Sequence, residues 1–319
     1  MTLVDVGPGQ GGEASEEGGP PAESSGPERR QADSLAALAR ETAGNALLIL
    51  ALCLVGFAVW FAFLSRLHYD RVQNGAYANF RVNLALATAP TGPTNPADPT
   101  KLLAPGTPVA VLKIPQIGLT SVVFEGTSGR VLEGGPGHQR DTPLPGQPGV
   151  SVIFGRRTAY GGPFSRLPWL HVGDTFTVTT GQGVATYRVI DLRRAGSPFP
   201  PPLTGNQGRL TMVTADGPAL APTGVLYVDA DLTSAPKPAP TMILSQANLG
   251  PSEKVLGTDT TAWLPVVLWG ALLLAVAGLL AWAGQRWGRW QTWIVAVPVV
   301  GFISLSIADQ VARLLPNLM

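Results

Sequence analysis

The sequence predicts a mostly β domain, a small barrel or sandwich, hung between membrane-spanning helices. Three observations carry this. Charged residues make up only 13% of the 319-residue chain, and the apolar ones are gathered in blocks; soluble domains usually carry roughly 25% charge. Between the blocks lie short β-branched runs bounded by Gly, Pro, Asn and Asp, the pattern of strands and turns. Gly (38) and Pro (30) are abundant, which favours turns over long soluble helices.

Residues 1–42 open with a stretch of Gly, Pro, Glu and Ser and read as a disordered tail, because such composition cannot bury a core. Residues 43–65 form a first span. Ala46 to Leu64 carries no charge, and at about 1.5 Å per residue it crosses roughly 30 Å of hydrocarbon. A cleaved signal peptide is disfavoured by the long segment before it and by the lack of a small-x-small site after Leu64. Residues 66–106 read as a helix followed by a linker. Val72, Tyr77, Phe80 and Leu84 keep mostly helical spacing, and Ala89 to Pro105 is rich in Pro, Thr and Ala.

Residues 107–233 hold the β domain. Strand candidates are 109–114, 121–124, 149–155, 174–179, 185–192, 208–214 and 224–232. Seven or eight short strands fit a barrel or sandwich. Residues 234–261 are a Pro-, Ser- and Thr-rich tether. Residues 262–284 form a second span and 291–315 a third, which contains Pro298; a buried or re-entrant helix is the rival for the third. Trp263, Trp287, Trp290 and Trp293 fall at headgroup depth, and the 285–290 loop carries Arg286 and Arg289. The positive-inside rule places that loop in the cytoplasm. The N-terminus is then inside, and residues 66–261 and the C-terminus are outside.

Basic and acidic side chains nearly balance, 22 against 21, so there is no electrostatic footprint for nucleic acid. Cys53 is the single cysteine, which excludes an intrachain disulfide and a Cys-rich zinc site. His68, His138 and His171 do not have metal-ligand spacing. No metal or cofactor is expected.

Seven phrases follow one another through the β domain: Ile114-Pro115-Gln116-Ile117-Gly118-Leu119, Glu125-Gly126-Thr127-Ser128, Gly135-Pro136-Gly137-His138, Leu144-Pro145-Gly146-Gln147-Pro148-Gly149, Gly155-Arg156-Arg157-Thr158-Ala159-Tyr160-Gly161-Gly162-Pro163-Phe164, Gly173-Asp174 and Leu210-Thr211-Met212-Val213-Thr214-Ala215. On these residues the stretch from Leu112 to Leu232 resembles a sortase domain, most of all the class E type of Gram-positive actinobacteria. The resemblance implies a β-barrel cysteine transpeptidase on the outer face of the membrane. Such an enzyme cuts a sorting signal on a secreted protein and joins the new carboxyl end to an amine, often of the cell wall. It also implies three side chains: a cysteine thiolate as nucleophile, a histidine that moves protons, and an arginine that stabilises the oxyanion.

All three are replaced. Arg156 stands at the histidine of the Gly-His-Arg phrase, and Ala215 stands at the cysteine that ends the Thr-Leu-x-Thr-Cys phrase. Val225, or Gly224 if the register slips by one, stands at the arginine that opens the last strand. No acyl-enzyme forms on an alanine, and a guanidinium stays protonated at physiological pH. Arg156, Arg157, Thr214 and Asp216 are candidates to line a retained groove, with Arg156 holding a peptide carbonyl or carboxylate or pairing with Asp216. Ser151 and Thr214 are hydroxyls without a nearby histidine. His138 reads as structural, His171 as solvated and Cys53 as a membrane-embedded hydrophobe.

Three functions stay open. One is a non-catalytic member that binds a sorting-signal peptide or secreted protein. The second is a purely structural membrane component. The third is a cysteine-independent transpeptidase or hydrolase. An open cleft beside Arg156, Ala215 and Val225 favours binding; a site filled by side chains favours the structural role.

Overall fold

The computed structural model describes residues 27–218, 221–241, 245, 249–255, 257–258, 260–314 and 316–318. The chain divides into two units, Met1–Leu48 and Ile49–Met319. Residues 1–26 of the expected disordered tail lie outside the described residues. Residues 27–42 do not follow that expectation: helix α1 runs Pro27–Val59. Pro27 suits a first helical position, and Ala36-Ala37-Leu38-Ala39-Arg40 are strong helix formers.

A π-helical turn, Trp60–Leu64, joins α1 to α2, Ser65–Ala85. Where a plain linker was expected, Thr94–Asn95 (β1) and Asp98–Leu102 (β2) pair as a small hairpin. Its turn is held by Asn95 Oδ1, which accepts the Ala97 N–H at 2.9 Å. Eight strands follow: β3 (Pro108–Ile114), β4 (Leu119–Glu125), β5 (Gly137–His138), β6 (Gly149–Phe154), β7 (Thr175–Thr180), β8 (Gly183–Arg193), β9 (Gly208–Asp216) and β10 (Gly224–Leu232). They close into a barrel in the order β10-β8-β7-β3-β4-β5-β6-β9. The β4–β5 and β6–β9 pairs are parallel and the rest antiparallel.

The interior follows the period of two that strands impose. Leu112 and Ile114, Phe176 and Val178, Tyr187 and Val189, Leu210 and Met212, and Leu226, Val228 and Ala230 are all buried in one core. Phe176 and Tyr187 stack at 5.6 Å, and the Tyr187 hydroxyl accepts the Gly146 N–H at 2.6 Å. Asp229 belongs to the opposite face, yet it is fully buried. Arg193 donates to it through Nε and through Nη2 at 3.2 Å, and Thr211 donates at 2.6 Å. The Arg193 guanidinium lies against the Phe199 and Tyr227 rings, at 5.2 and 5.0 Å.

Strand β5 pairs with β4 only at Phe124 and Glu125, so the edge of β4 at Val122 lacks a strand partner. The Gln73 carboxamide of α2 takes that place. Its Oε1 accepts the Val122 N–H at 2.7 Å, and its Nε2 donates to the Val122 carbonyl at 3.1 Å and the Gly134 carbonyl at 2.8 Å. Tyr69 adds a hydroxyl contact to Ser121 at 2.9 Å.

Two C-terminal helices, α4 (Trp263–Trp287) and α5 (Arg289–Leu314), contain stretches long and apolar enough to cross a membrane. The expected 285–290 loop shrinks to Gly288, whose φ of 93° is open to glycine and costly for other residues. Helix α5 packs on the end of α1 through small residues. Ser304 Oγ donates to Cys53 Sγ at 3.2 Å, and Ala308 and Ala312 lie with Trp60 and Tyr160. The last turn of α5 reaches a short helix, α3 (Gly129–Gly134), where Arg313 pairs with the buried Glu133 at 3.3 Å and with Asp309 at 3.1 Å.

Two predictions follow from this packing. Asp229→Ala leaves Arg193 and Thr211 without their acceptor and should destabilise the barrel by about 3–5 kcal/mol, read as a lowered unfolding midpoint of the full chain in detergent. For Glu133, burial pushes the carboxyl above its ordinary range, against the pull of Arg313 and Arg156. The folded state therefore binds a proton more readily than the unfolded one, and this group's contribution to stability falls as pH rises through its folded pKa. The wild type should gain on Glu133→Gln as pH is lowered from neutral towards the usual carboxylate range; melting curves of both across that window check the sign.

Candidate functional site

Parallel pairing of β6 with β9 sets Ile153 beside Met212 and Phe154 beside Val213. Gly155 extends the ladder, its N–H donating to the Val213 carbonyl at 3.0 Å, and its carbonyl accepts Thr214 Oγ1 at 2.9 Å. A Cβ at Gly155 would run into the Phe164 ring, so glycine is needed here. Across the next pair, Val225 faces Ala215 and Gly224 faces Asp216. One end of the barrel thus gathers Arg156, Ala215 and Val225 from three separate stretches of sequence.

Their side chains do not make a polar site. The Ala215 methyl sits in an apolar cluster with Leu132, Phe154, Val213 and Leu318, which the partly buried Val152, Val225 and Tyr227 pack against. Leu318 comes from the C-terminal tail beyond α5 and is fully buried. Its carbonyl accepts the Arg157 N–H at 3.0 Å. The apolar cluster that holds Ala215 therefore includes a residue from the segment after α5.

Arg156 was expected to line a groove; its side chain is 1% exposed. Nη2 donates to the Gly129 carbonyl at 3.0 Å, and the guanidinium lies 4.9 Å from the Tyr160 ring centroid. Burial lowers its pKa, while Tyr160 and Glu133 act the other way. It braces α3 against the loop that follows β6. Asp216 does not pair with Arg156: its ion partners are Arg194 at 2.8 Å and Arg157 at 3.5 Å. Burial works to raise the Asp216 carboxyl, but the Arg194 hydrogen bond, the Gly217 N–H and the two arginine charges together hold it below its usual range. Arg157 also donates to the Ala215 carbonyl at 2.9 Å. It therefore clips the end of β9 and holds the tail through its own backbone. Thr214 is buried and spends its hydroxyl on Gly155.

The other reactive side chains lie apart from this end. Ser151 is buried on β6, and its Oγ has no hydrogen-bond partner among the described residues. His138 is buried with Nδ1 at 2.9 Å from Glu125 Oε2 and Nε2 at 3.0 Å from the Pro143 carbonyl. Nε2 also lies 3.2 Å from the Thr142 hydroxyl, so both ring nitrogens are taken up by local contacts. His171 is exposed in the loop before β7, near Asp174. Cys53 belongs to the α1–α5 contact. Among the described residues no cluster of His, Cys, Asp or Glu has the makings of a metal site. The sequence reading missed Leu318, Asn317, Tyr160 and Glu133. Tyr160 and Glu133 lie inside or beside quoted phrases, but nothing in the pattern links the residues after α5 to the barrel.

The family model described as the sortase domain matches residues 112–231. No curated protein sequence matches the chain. Among solved structures, a sortase D5 transpeptidase from Clostridium perfringens is 22% identical, with 51% of this chain and 99% of that chain covered and a TM-score of 0.42. The SrtF sortase from Corynebacterium diphtheriae is 27% identical, covering 44% of this chain and 93% of its own, with a TM-score of 0.37. A sortase E variant from Streptomyces avermitilis is 29% identical, covering 41% and 91%, with a TM-score of 0.34. The family match runs from within β3 to within β10, through the strands that position Ala215 and Val225, and residues 112–231 of this chain form a sortase domain.

Proposed function

We propose that this chain is a non-catalytic sortase-family protein, anchored in the membrane with its barrel outside, whose former catalytic end serves as a seat for a peptide segment. The observation that carries the reading is the surrounding of Ala215: a methyl group in an apolar cluster that also takes in Leu318. Chemistry by the family route needs a polarisable nucleophile, a base that titrates near neutral pH and an oxyanion donor. Ala215 and Val225 supply none of these. Arg156 is a permanently charged group turned towards Gly129 and Tyr160. A cysteine-independent reaction through Ser151 or Thr214 finds no support, since neither has a base in hydrogen-bond range. The filled position was also the mark of a purely structural barrel. What favours a seat is that the filling is a peptide segment held by a backbone hydrogen bond, which a second chain can imitate.

The orientation draws on the helices. The C-terminal ends of α1 and α5 both lead to the barrel, through α2 and through Arg313 with Glu133. The turn at Gly288, with Arg286 and Arg289 beside it, then falls at the opposite end of the α4–α5 pair, as the positive-inside rule requires of a cytoplasmic turn.

Two outcomes are expected. The full chain in detergent, incubated with sorting-signal peptides and an amine acceptor, should yield no cleavage and no ligation. Turnover that survives replacement of Ser151, Thr214 and Asp216 would mean that the reactive site lies elsewhere, and turnover lost in one of them would restore the cysteine-independent reading. In a Cys53→Ala background on intact cells, an impermeant thiol reagent should label Gly205→Cys and spare Gly288→Cys; the reverse pattern would invert the topology.

A further inference from the structure

We propose that residues 316–318 are a ligand of the barrel carried by the chain itself, and that the seat beside Ala215 takes a second peptide of the same chemistry only when this tail leaves. That chemistry is a short turn with a proline, a carboxamide and a leucine-sized apolar side chain in succession. The proposal rests on the peptide-seat reading above.

The tail is recognised side chain by side chain. Leu318 fills the apolar cluster, and its carbonyl is held by the Arg157 N–H. Asn317 is fully buried. Its N–H donates to the Gly257 carbonyl at 3.0 Å. Its Nδ2 faces three carbonyls, those of Thr127 and Lys254 at 2.9 Å each and that of Ser252 at 3.4 Å. A site built from carbonyls accepts a carboxamide NH2 and rejects a carboxylate. Pro316 cannot continue α5, so the chain leaves the helix and turns into the seat. The expected 234–261 tether supplies Ser252, Lys254 and Gly257, and it is docked on the barrel by Thr127, which donates through Oγ1 to the Glu253 carbonyl. One wall of the seat therefore comes from outside the barrel strands.

Two features bear on how the seat exchanges its occupant. The segment is tethered directly to α5, whose last turn is fixed to α3 by Arg313 and Glu133. Tethering gives such a segment an effective concentration on the order of millimolar, so a free peptide of equal intrinsic affinity does not displace it. The contacts are also few, and each is replaceable by the same groups on another chain. Release of the tail, by cleavage or by a pull on α5, would uncover an apolar surface flanked by unpaired carbonyls and the Arg157 N–H.

The test uses the full chain in detergent with Cys53→Ala and Ala215→Cys, so that a single thiol reports the seat. The thiol should react slowly with a bulky maleimide. Adding Asn317→Ala or, separately, Leu318→Ala should speed the reaction by about tenfold, the change given by about 1.4 kcal/mol of lost closure. A synthetic peptide with the sequence of residues 315–319 should slow it again in these variants and leave the tail-intact protein unaffected. A Val178→Cys thiol, buried in the barrel core and equally unreactive with and without the tail changes, shows that the barrel has stayed folded. Equal rates at position 215 with and without the tail changes would overturn the proposal, as would a peptide without effect on either tail variant. Failure of the non-catalytic reading would show instead as turnover by the wild-type chain, an assay independent of the thiol rate.

Discussion

The parallel pairing of β6 with β9 is the constraint on which the rest of the site depends. It closes the barrel between strands far apart in sequence, and it carries the chain past Phe154 so that Gly155 and Thr214 lock together. Beyond that lock the two strands diverge. Arg156 turns towards α3 and Tyr160, while Ala215 stays on the outer apolar face opposite Val225. A register shift of one residue would exchange these directions, because side chains alternate along a strand. This geometry separates a cation from a hydrocarbon surface.

Much of the barrel was legible from local pattern. Each long strand shows its period of two in residues such as Leu226, Val228 and Ala230, and the Gly and Pro boundaries mark its ends. What escaped reading had no period to show. Strand β5 is two residues long, and the β1–β2 hairpin is set by an Asn95 turn inside a Pro- and Thr-rich stretch. Residues 27–42 read as a tail on their Gly- and Glu-rich beginning, although Ala and Leu later in that stretch favour helix. The short loop around Gly288 was over-counted because apolar and aromatic residues continue the helices to its edge.

The site was legible in one sense only. The phrases that carry Arg156 and Ala215 mark these two positions only through a resemblance. They do not tell where Arg156 points, because that depends on the Gly129 carbonyl and the Tyr160 ring, which tertiary packing brings to it. Leu318 was out of reach for a different reason. It is separated from the barrel by two long apolar helices, and a lone leucine after a proline has no pattern that names its partner. Long-range side-chain contacts of this kind follow from topology, which a local reading does not contain.

The Gln73 carboxamide has a bearing on how this domain is to be handled. It stands in for a missing neighbour along β4, saturating both backbone groups of Val122. A fragment cut at residue 107 would keep every barrel strand and lose that cover. Its exposed strand margin would then offer an unpaired donor and acceptor to another molecule, the usual route to edge-to-edge aggregation. The smallest self-sufficient piece of this protein therefore begins upstream of Tyr69, in the helix, and not at the first strand of the barrel.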